Sequence, residues 1–249
     1  MNYSELKITK DTLEYEIFGK TQKLKNNLTV KNFREQLKNL KYEGYYESIG
    51  GRNARDDALE NFKMPAIVHT YYSLLILNGK IPTIDELCDN YIDTYIEKCG
   101  DKYQLKKEYR PNSRNILFSI ESLKGRICRA YNSYHREVDL LLQLFEAYGN
   151  DYTFYYSFEE DYFNGVDIVA ISKDGKRFDI ATYFSSKRSL LFKKKKNEKL
   201  HEYKNISIDL LANFEGKEKN VIKVGDVKLY DDKAVKFIYS ELTKNRAVA

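Results

Sequence analysis

Hydrophobic positions change their period along the chain, and the changes outline its elements. Between residues 5 and 18, Leu6 and Ile8 alternate with polar residues on one side of Lys10-Asp11-Thr12, and Leu13, Tyr15 and Ile17 on the other. That period of two predicts a small N-terminal hairpin. From about Val30 the period becomes helical. Phe33, Leu37 and Leu40 share one stripe, and Ile67, Tyr71, Leu74, Leu75 and Asn78 form a second that stops at Gly79. Thr83 followed by Glu86 has the spacing of a capping box, with Pro82 fixing the approach, so a further helix is expected from there through Tyr91 to Ile96. Two helices joined by so short a turn resemble a helix-turn-helix, a DNA-reading unit or an ordinary helical corner. Residues 48–55 form a glycine-containing basic loop whose Arg52 and Arg55 would either touch phosphates or simply connect helices. Residues 100–115 carry Lys102, Lys106, Lys107, Arg110 and Pro111 with few apolar positions and read as a basic linker.

The second half is more ordered. Residues 123–148 predict a long amphipathic helix with Leu123, Ile127, Ala130, Tyr134, Leu141 and Phe145 on one side and Asp139 opposite. Glu137 falls about 60° from Tyr134 and about 40° from Leu141 at 100° per residue, at the margin of the apolar stripe. It either makes a boundary salt bridge with Arg136 or Arg188, or points a carboxylate at the sheet the helix packs on. Strand-like segments follow at 151–156, 166–171 and 178–184, then a helix at 186–203, a strand at 206–211, a hairpin at 221–224 and 227–230, and a helix at 232–244. The order α-β-β-β-α-β favours a mixed sheet flanked by helices, an α/β (α+β) class. Division into a helical N-terminal region, 1–115, and an α/β domain, 116–249, follows.

Asp167 is the anomaly in this pattern. A carboxylate at the mouth of an apolar strand is costly unless exposed, paired or bound to a cation. Asp174-Gly175 marks the turn that returns the chain towards Asp179. A two-residue loop puts Asp167 opposite Thr182. A glycine-bulged three-residue loop puts it opposite Ala181, with Asp179 on the same face.

Composition narrows the classes. The chain has 249 residues, 42% hydrophobic and 32% charged, a globular balance. No apolar run approaches the roughly 18 residues of a membrane span, and Met1-Asn2-Tyr3-Ser4-Glu5 lacks a signal-peptide design, so no membrane partner and a cytoplasmic location are expected. Cys88, Cys99 and Cys128 show no CxxC spacing and fall in segments read as helical, which predicts free buried thiols. His69, His135 and His201 lack HExxH spacing, and GxxxxGK[ST], GxGxxG and GxSxG are absent. The 22 tyrosines pack the core or stack on bases.

Net charge is +5, but residues 187–204 alone carry eight basic side chains against two acidic ones. Arg188, Lys193, Lys194, Lys195, Lys196 and Lys199 are the candidate nucleic-acid contacts there, unless this is a solvated surface helix.

Residues 123–212 resemble the restriction-endonuclease-like, or PD-(D/E)XK, nuclease superfamily, whose core has the same element order. In that family an acid of the first helix, an Asp opening the second strand and an acid-x-Lys on the third bind magnesium and activate water. Glu137 and Asp167 match the first two positions; Asp179 is the acid available at the third, with Ala181 where lysine is expected. Lys187 would supply the cation from a migrated position. The resemblance implies a DNA endonuclease using Mg2+ or Mn2+, with Asp167, Lys187, Glu137 and Asp179 catalytic, acting on double-stranded DNA as a homodimer, in a restriction or mobile-element setting. A catalytically inactive DNA-binding protein on the same scaffold, or a regulatory protein-interaction factor, are the alternatives.

Overall fold

A computed structural model describes residues 4–8, 12–17, 20–25, 28–40, 43–183, 204–209 and 221–247. Three strands open the chain, β1 (Ser4–Ile8), β2 (Thr12–Ile17) and β3 (Lys20–Lys25). Helices α1 (Val30–Asn39), α2 (Glu43–Ser48), α3 (Asp57–Asn61), α4 (Ile67–Asn78) and α5 (Ile84–Tyr95) follow. A hairpin, β4 (Ile96–Cys99) and β5 (Lys102–Leu105), precedes the long helix α6 (Ile120–Tyr148). Then come β6 (Tyr152–Ser157), a π-helical turn (Glu160–Asn164), β7 (Ile168–Ser172), β8 (Arg177–Tyr183) and β9 (Lys204–Asp209). The hairpin β10 (Val221–Val224) and β11 (Val227–Tyr230) and the helix α7 (Asp232–Ala247) complete the described chain.

Seven strands form one mixed sheet in the order β3-β2-β1-β6-β7-β8-β9. All neighbours are antiparallel except β8 and β9, which run parallel and so cannot be joined by a tight turn. The linking residues 184–203 lie outside the described set, and with them the helix expected at 186–203.

The first hairpin belongs to this sheet. β1 pairs with β6, Leu6 opposite Tyr156, and both side chains are buried. A single apolar cluster runs from Leu6 and Tyr71 through Leu141 to Phe154 and Ile180, so the boundary expected at 115/116 passes through both sheet and core. Strand β3 adds a third member to the hairpin. Its sequence, KTQKLK, offers one apolar residue and no alternation from which to predict it.

Residues 96–105 correct the expectation of a helix end and basic linker. Ile96 and Leu105 face each other and are buried, and Gln104 Nε2 donates to Glu97 Oε1 at 2.8 Å. Cys99 is therefore exposed on a strand, whereas Cys88 and Cys128 are buried free thiols on helices.

Helix α6 starts where Ser119 Oγ accepts the Ser122 N–H at 3.1 Å. Asp139, expected on its solvent side, is buried. Arg34 of α1 donates to it through Nε at 2.8 Å and Nη2 at 2.9 Å, and Gln143 Nε2 adds a bond at 2.8 Å. Because α1 covers that side, α6 is packed on opposite faces, and its apolar stripe alone does not reveal the second contact. No described helix is long and apolar enough to cross a membrane.

Candidate functional site

The register of β7 and β8 decides what faces α6. Ser172 N–H donates to the Lys176 carbonyl at 2.9 Å across Lys173-Asp174-Gly175, and Gly175 takes φ +83°, a left-handed conformation that suits glycine. This is the three-residue loop. It pairs Ile168 with Ile180 and Val169 with Asp179. Side chains alternate along each strand: Ile168, Ala170, Phe178 and Ile180 join the core cluster that α6 covers, so Val169 and Asp179 point to the other face.

Asp179 is accordingly turned away from Glu137. It is 3% exposed, and its Oδ1 pairs with Arg177 Nε at 2.9 Å, while Arg177 Nη2 reaches Glu160 Oε1 at 2.7 Å. The guanidinium thus occupies the acid that was expected as third metal ligand.

Asp167 escapes the alternation because it stands one residue before the ladder. Its N–H bonds the Ile180 carbonyl at 2.9 Å, and its Oδ2 accepts both the Thr182 N–H and, at 2.9 Å, the Thr182 hydroxyl. Thr182 also neighbours the phenol of Tyr230 at the end of β11.

Glu137 is half-buried on α6, within electrostatic reach of Asp161 and Asp167. Its Oε2 accepts the Tyr72 hydroxyl at 3.4 Å. Burial raises its carboxyl well above the ordinary value of 4.5, and the nearby charges of Asp161 and Asp167 push in the same direction, against Arg136. The predicted alternative, a boundary salt bridge to Arg136, is not the contact it makes; Arg188 lies outside the described residues.

Asp161 is the residue the sequence reading missed. It sits on the π-helical turn after β6, and its Oδ2 accepts the Tyr156 hydroxyl at 3.3 Å. The rings of Tyr72 and Tyr156 pack edge-on with centroids 5.1 Å apart. Two of these carboxylates are thus tied to a buried tyrosine, Glu137 to Tyr72 and Asp161 to Tyr156, and the third, Asp167, to Thr182. The available signal was the acidic run Glu159-Glu160-Asp161 between the first strand and Asp167.

Among the described residues no three His, Cys, Asp or Glu side chains stand close enough to one another to hold a metal ion as they are. Magnesium does not need such a cage, since it keeps several waters and uses one or two carboxylates with substrate phosphates. The charges of Asp161 and Asp167 raise the proton affinity of Glu137, and a cation would relieve the same repulsion.

The other expected residues are dispersed. Lys187, Arg188, Lys193, Lys194, Lys195, Lys196, Lys199 and His201 lie outside the described residues. Arg52 falls in a 3-10 turn, Gly51–Ala54, and Arg55 Nε pairs with the exposed Asp57 at 3.0 Å. That turn packs Ala54 against Gly125 of α6. Twelve residues of helix separate Gly125 from Glu137, about 18 Å along the axis.

The α4–α5 corner has the expected capping box: Thr83 Oγ1 accepts the Glu86 N–H at 3.2 Å and Glu86 Oε2 accepts the Thr83 N–H at 2.7 Å. The outer face of α5, however, presents Asp85, Asp89, Asn90 and Asp93. An acidic face repels phosphates, so α5 is poorly suited to enter a DNA groove.

His69 and His135 are buried core residues. His135 Nδ1 bonds the Tyr71 hydroxyl at 2.8 Å, and His69 lies 4.5 Å from the Phe158 ring. Comparison with protein-family models, curated proteins and solved structures finds no match.

Proposed function

We propose that the chain is a metal-dependent DNA endonuclease with a restriction-endonuclease-like core in α6, β6, β7, β8 and β9. The observation that carries this reading is that Asp161 and Asp167, at the opening of β7, lie near enough to Glu137 of α6 for their charges to raise its carboxyl. The sheet order β6-β7-β8-β9, with only the last pair parallel, agrees with an αβββαβ core.

Glu137, Asp161 and Asp167 would hold a divalent cation, which when bound supplies charge stabilisation of the attacked phosphate and a lowered pKa for water. Thr182 orients the Asp167 carboxylate, Tyr72 orients Glu137 and Tyr156 orients Asp161. The positive charge of residues 187–204 supports a polyanionic substrate, with Lys187 the nearest basic residue in sequence after β8. Two copies acting together would cut both strands.

A second reading, an inactive DNA-binding relative on the same scaffold, draws on the Arg177–Asp179 pair and on Ala181 in place of lysine. Plasmid DNA incubated with Mg2+ or Mn2+ separates the two. The nuclease reading expects cleavage that EDTA abolishes and Asp167→Asn reduces at least 100-fold; salt-dependent binding without cleavage would favour the relic.

A further inference from the structure

We infer that the β4–β5 hairpin and the loop 106–117 that follows it form a docking surface for the phosphate backbone of duplex DNA. The inference rests on the nuclease reading only for its choice of polyanion. Between residues 98 and 115 stand Lys98, Lys102, Lys106, Lys107, Arg110 and Arg114, against Asp101 and Glu108 alone. A run of charge along a sequence is ordinarily a solvated face. Here the fold gathers the charge on one side and removes its counter-charges.

The hairpin is a two-stranded sheet of its own, outside the seven-stranded one. Its register sets Glu97 opposite Gln104 and Cys99 opposite Lys102, so these four side chains share one face, and Ile96 and Leu105 are buried on the other. The loop folds back onto the first face. At its start the Lys106 N–H bonds the Tyr95 carbonyl at 2.9 Å, and at its end Tyr103 and Phe118 exchange two backbone bonds at 2.9 and 3.0 Å. Arg110 ties it to the hairpin, Nη2 to Glu97 Oε1 at 2.7 Å and Nε to the Leu105 carbonyl at 2.9 Å, and Asn115 Nδ2 bonds Gln104 Oε1. Lys102 and the loop thus share that face.

These contacts use up the nearby acid. Glu97 is taken by Arg110 and Gln104, and Lys106 Nζ is turned to the Asp93 carbonyl at the end of α5. Lys98, Lys102, Lys107 and Arg114 are exposed, and their side chains make no ion pair or hydrogen bond with another described residue. Like charges held together without counter-charges repel one another, and an anionic partner relieves that repulsion. Backbone strain fixes the position of Arg114. Asn112 at φ +50° and Ser113 at φ +60° are left-handed without being glycine, and the Arg114 N–H bonds the Pro111 carbonyl at 2.9 Å. Such conformations are costly and cluster at functional sites.

The surroundings select the partner. The outer face of α5 is acidic through Asp85, Asp89 and Asp93 up to the helix end that Lys106 meets, so a polyanion takes the hairpin side of that boundary. Asn112 and Ser113 offer hydrogen-bond donors to phosphate oxygens. Tyr109 and Leu117 are the large exposed hydrophobics there, too little apolar area to anchor a membrane surface. Helix α6 begins at Ile120, just past the loop, and seventeen residues of helix, about 26 Å, separate that end from Glu137. The surface therefore serves binding and not the bond that is cut.

The test follows a fluorescein-labelled, mixed-sequence DNA duplex binding to the full chain by anisotropy, in EDTA, over a series of KCl concentrations. Vesicles of phosphatidylserine and phosphatidylcholine in equal parts are the second probe. The set Lys102→Gln, Lys107→Gln and Arg114→Gln is compared with Lys31→Gln, Lys63→Gln and Lys233→Gln, which removes the same charge from lysines exposed elsewhere. We expect wild type and the control set to bind the duplex nearly alike. The loop set should bind about 10-fold or more weakly, with the slope of log affinity on log salt reduced by about 3. Its melting temperature, and its cleavage rate at saturating DNA with magnesium, should stay at the wild-type values. Unchanged affinity and slope in the loop set, or equal losses in both sets, would overturn the docking surface, and so would a wild type that binds the vesicles and not the duplex. The expected binding pattern in a protein that cleaves DNA under no condition keeps the docking surface and removes the nuclease. Cleavage by a protein whose loop set binds like wild type does the reverse.

Discussion

Asp167 and Thr182 are joined twice across the mouth of β7 and β8, through the Thr182 N–H and through its hydroxyl at 2.9 Å. Thr182→Val removes the side-chain bond and keeps the backbone bond. We expect stability to fall by roughly 1–3 kcal/mol, since the Asp167 carboxylate loses a hydrogen bond, and cleavage to fall about 10-fold or more because the carboxylate loses an orienting contact. Urea denaturation and initial cleavage rates check both. A variant destabilised by that amount yet cleaving at the wild-type rate would make the contact purely structural.

Glu137 predicts an unusual pH dependence. Its folded pKa lies above the ordinary 4.5, so the folded state holds the proton more tightly, and its contribution to stability is lost as pH rises above 4.5. Glu137→Gln should therefore be more stable than wild type at pH 8, the difference shrinking towards pH 4.5. Magnesium should raise the melting temperature of wild type at pH 8, by the equivalent of about 2.7 kcal/mol at 100 times its Kd, and should do so far less in the variant. Equal responses of the two proteins would place the cation elsewhere.

Asp161 and Asp179 make opposite predictions. Asp161→Asn should cost about 100-fold or more in cleavage with little loss of stability, as expected for a residue that helps hold the cation. Asp179→Asn should cost roughly 1–3 kcal/mol of stability, the consequence of leaving Arg177 without one partner, with cleavage near wild type. The reverse pattern would restore Asp179 to the site.

Acid should weaken the fold through its histidines. Burial lowers His69 to about 4 and, with Arg136 adding to it, His135 to about 3, from 6.5. Below 6.5 the unfolded chain takes protons that the folded chain refuses, so stability falls with pH by up to about 1.4 kcal/mol per unit for each histidine. Urea midpoints between pH 6.5 and 5 test this, and His69→Phe should reduce the slope. A flat profile over that interval would contradict the burial of both rings.

The elements that were legible in the sequence are those with a local code. Thr83 and Glu86 announced α5, and two short apolar segments marked 221–224 and 227–230, where β10 and β11 lie. Asp174-Gly175 located the turn between β7 and β8 but left two registers, and only the three-residue loop with Gly175 at positive φ settles which face Asp179 takes. What was missed depends on partners distant in sequence. β3 is defined by pairing with β2, Asp139 is buried by Arg34 of α1, and the β4–β5 hairpin is fixed by the contact of Ile96 with Leu105. Asp161 was hidden because a π-turn has neither a period of two nor one of 3.6. Of the residues of the proposed site, Glu137 and Asp167 stand out in the sequence because one lies at the edge of an apolar stripe and the other breaks an apolar strand.

The most direct measurement is a crystal soaked in manganese and examined at the manganese absorption edge. One anomalous peak is expected between the carboxylates of Glu137 and Asp167, within reach of Asp161. A peak at Asp179, or no peak at the Glu137–Asp167 mouth in crystals of protein that cleaves DNA with manganese, would contradict it.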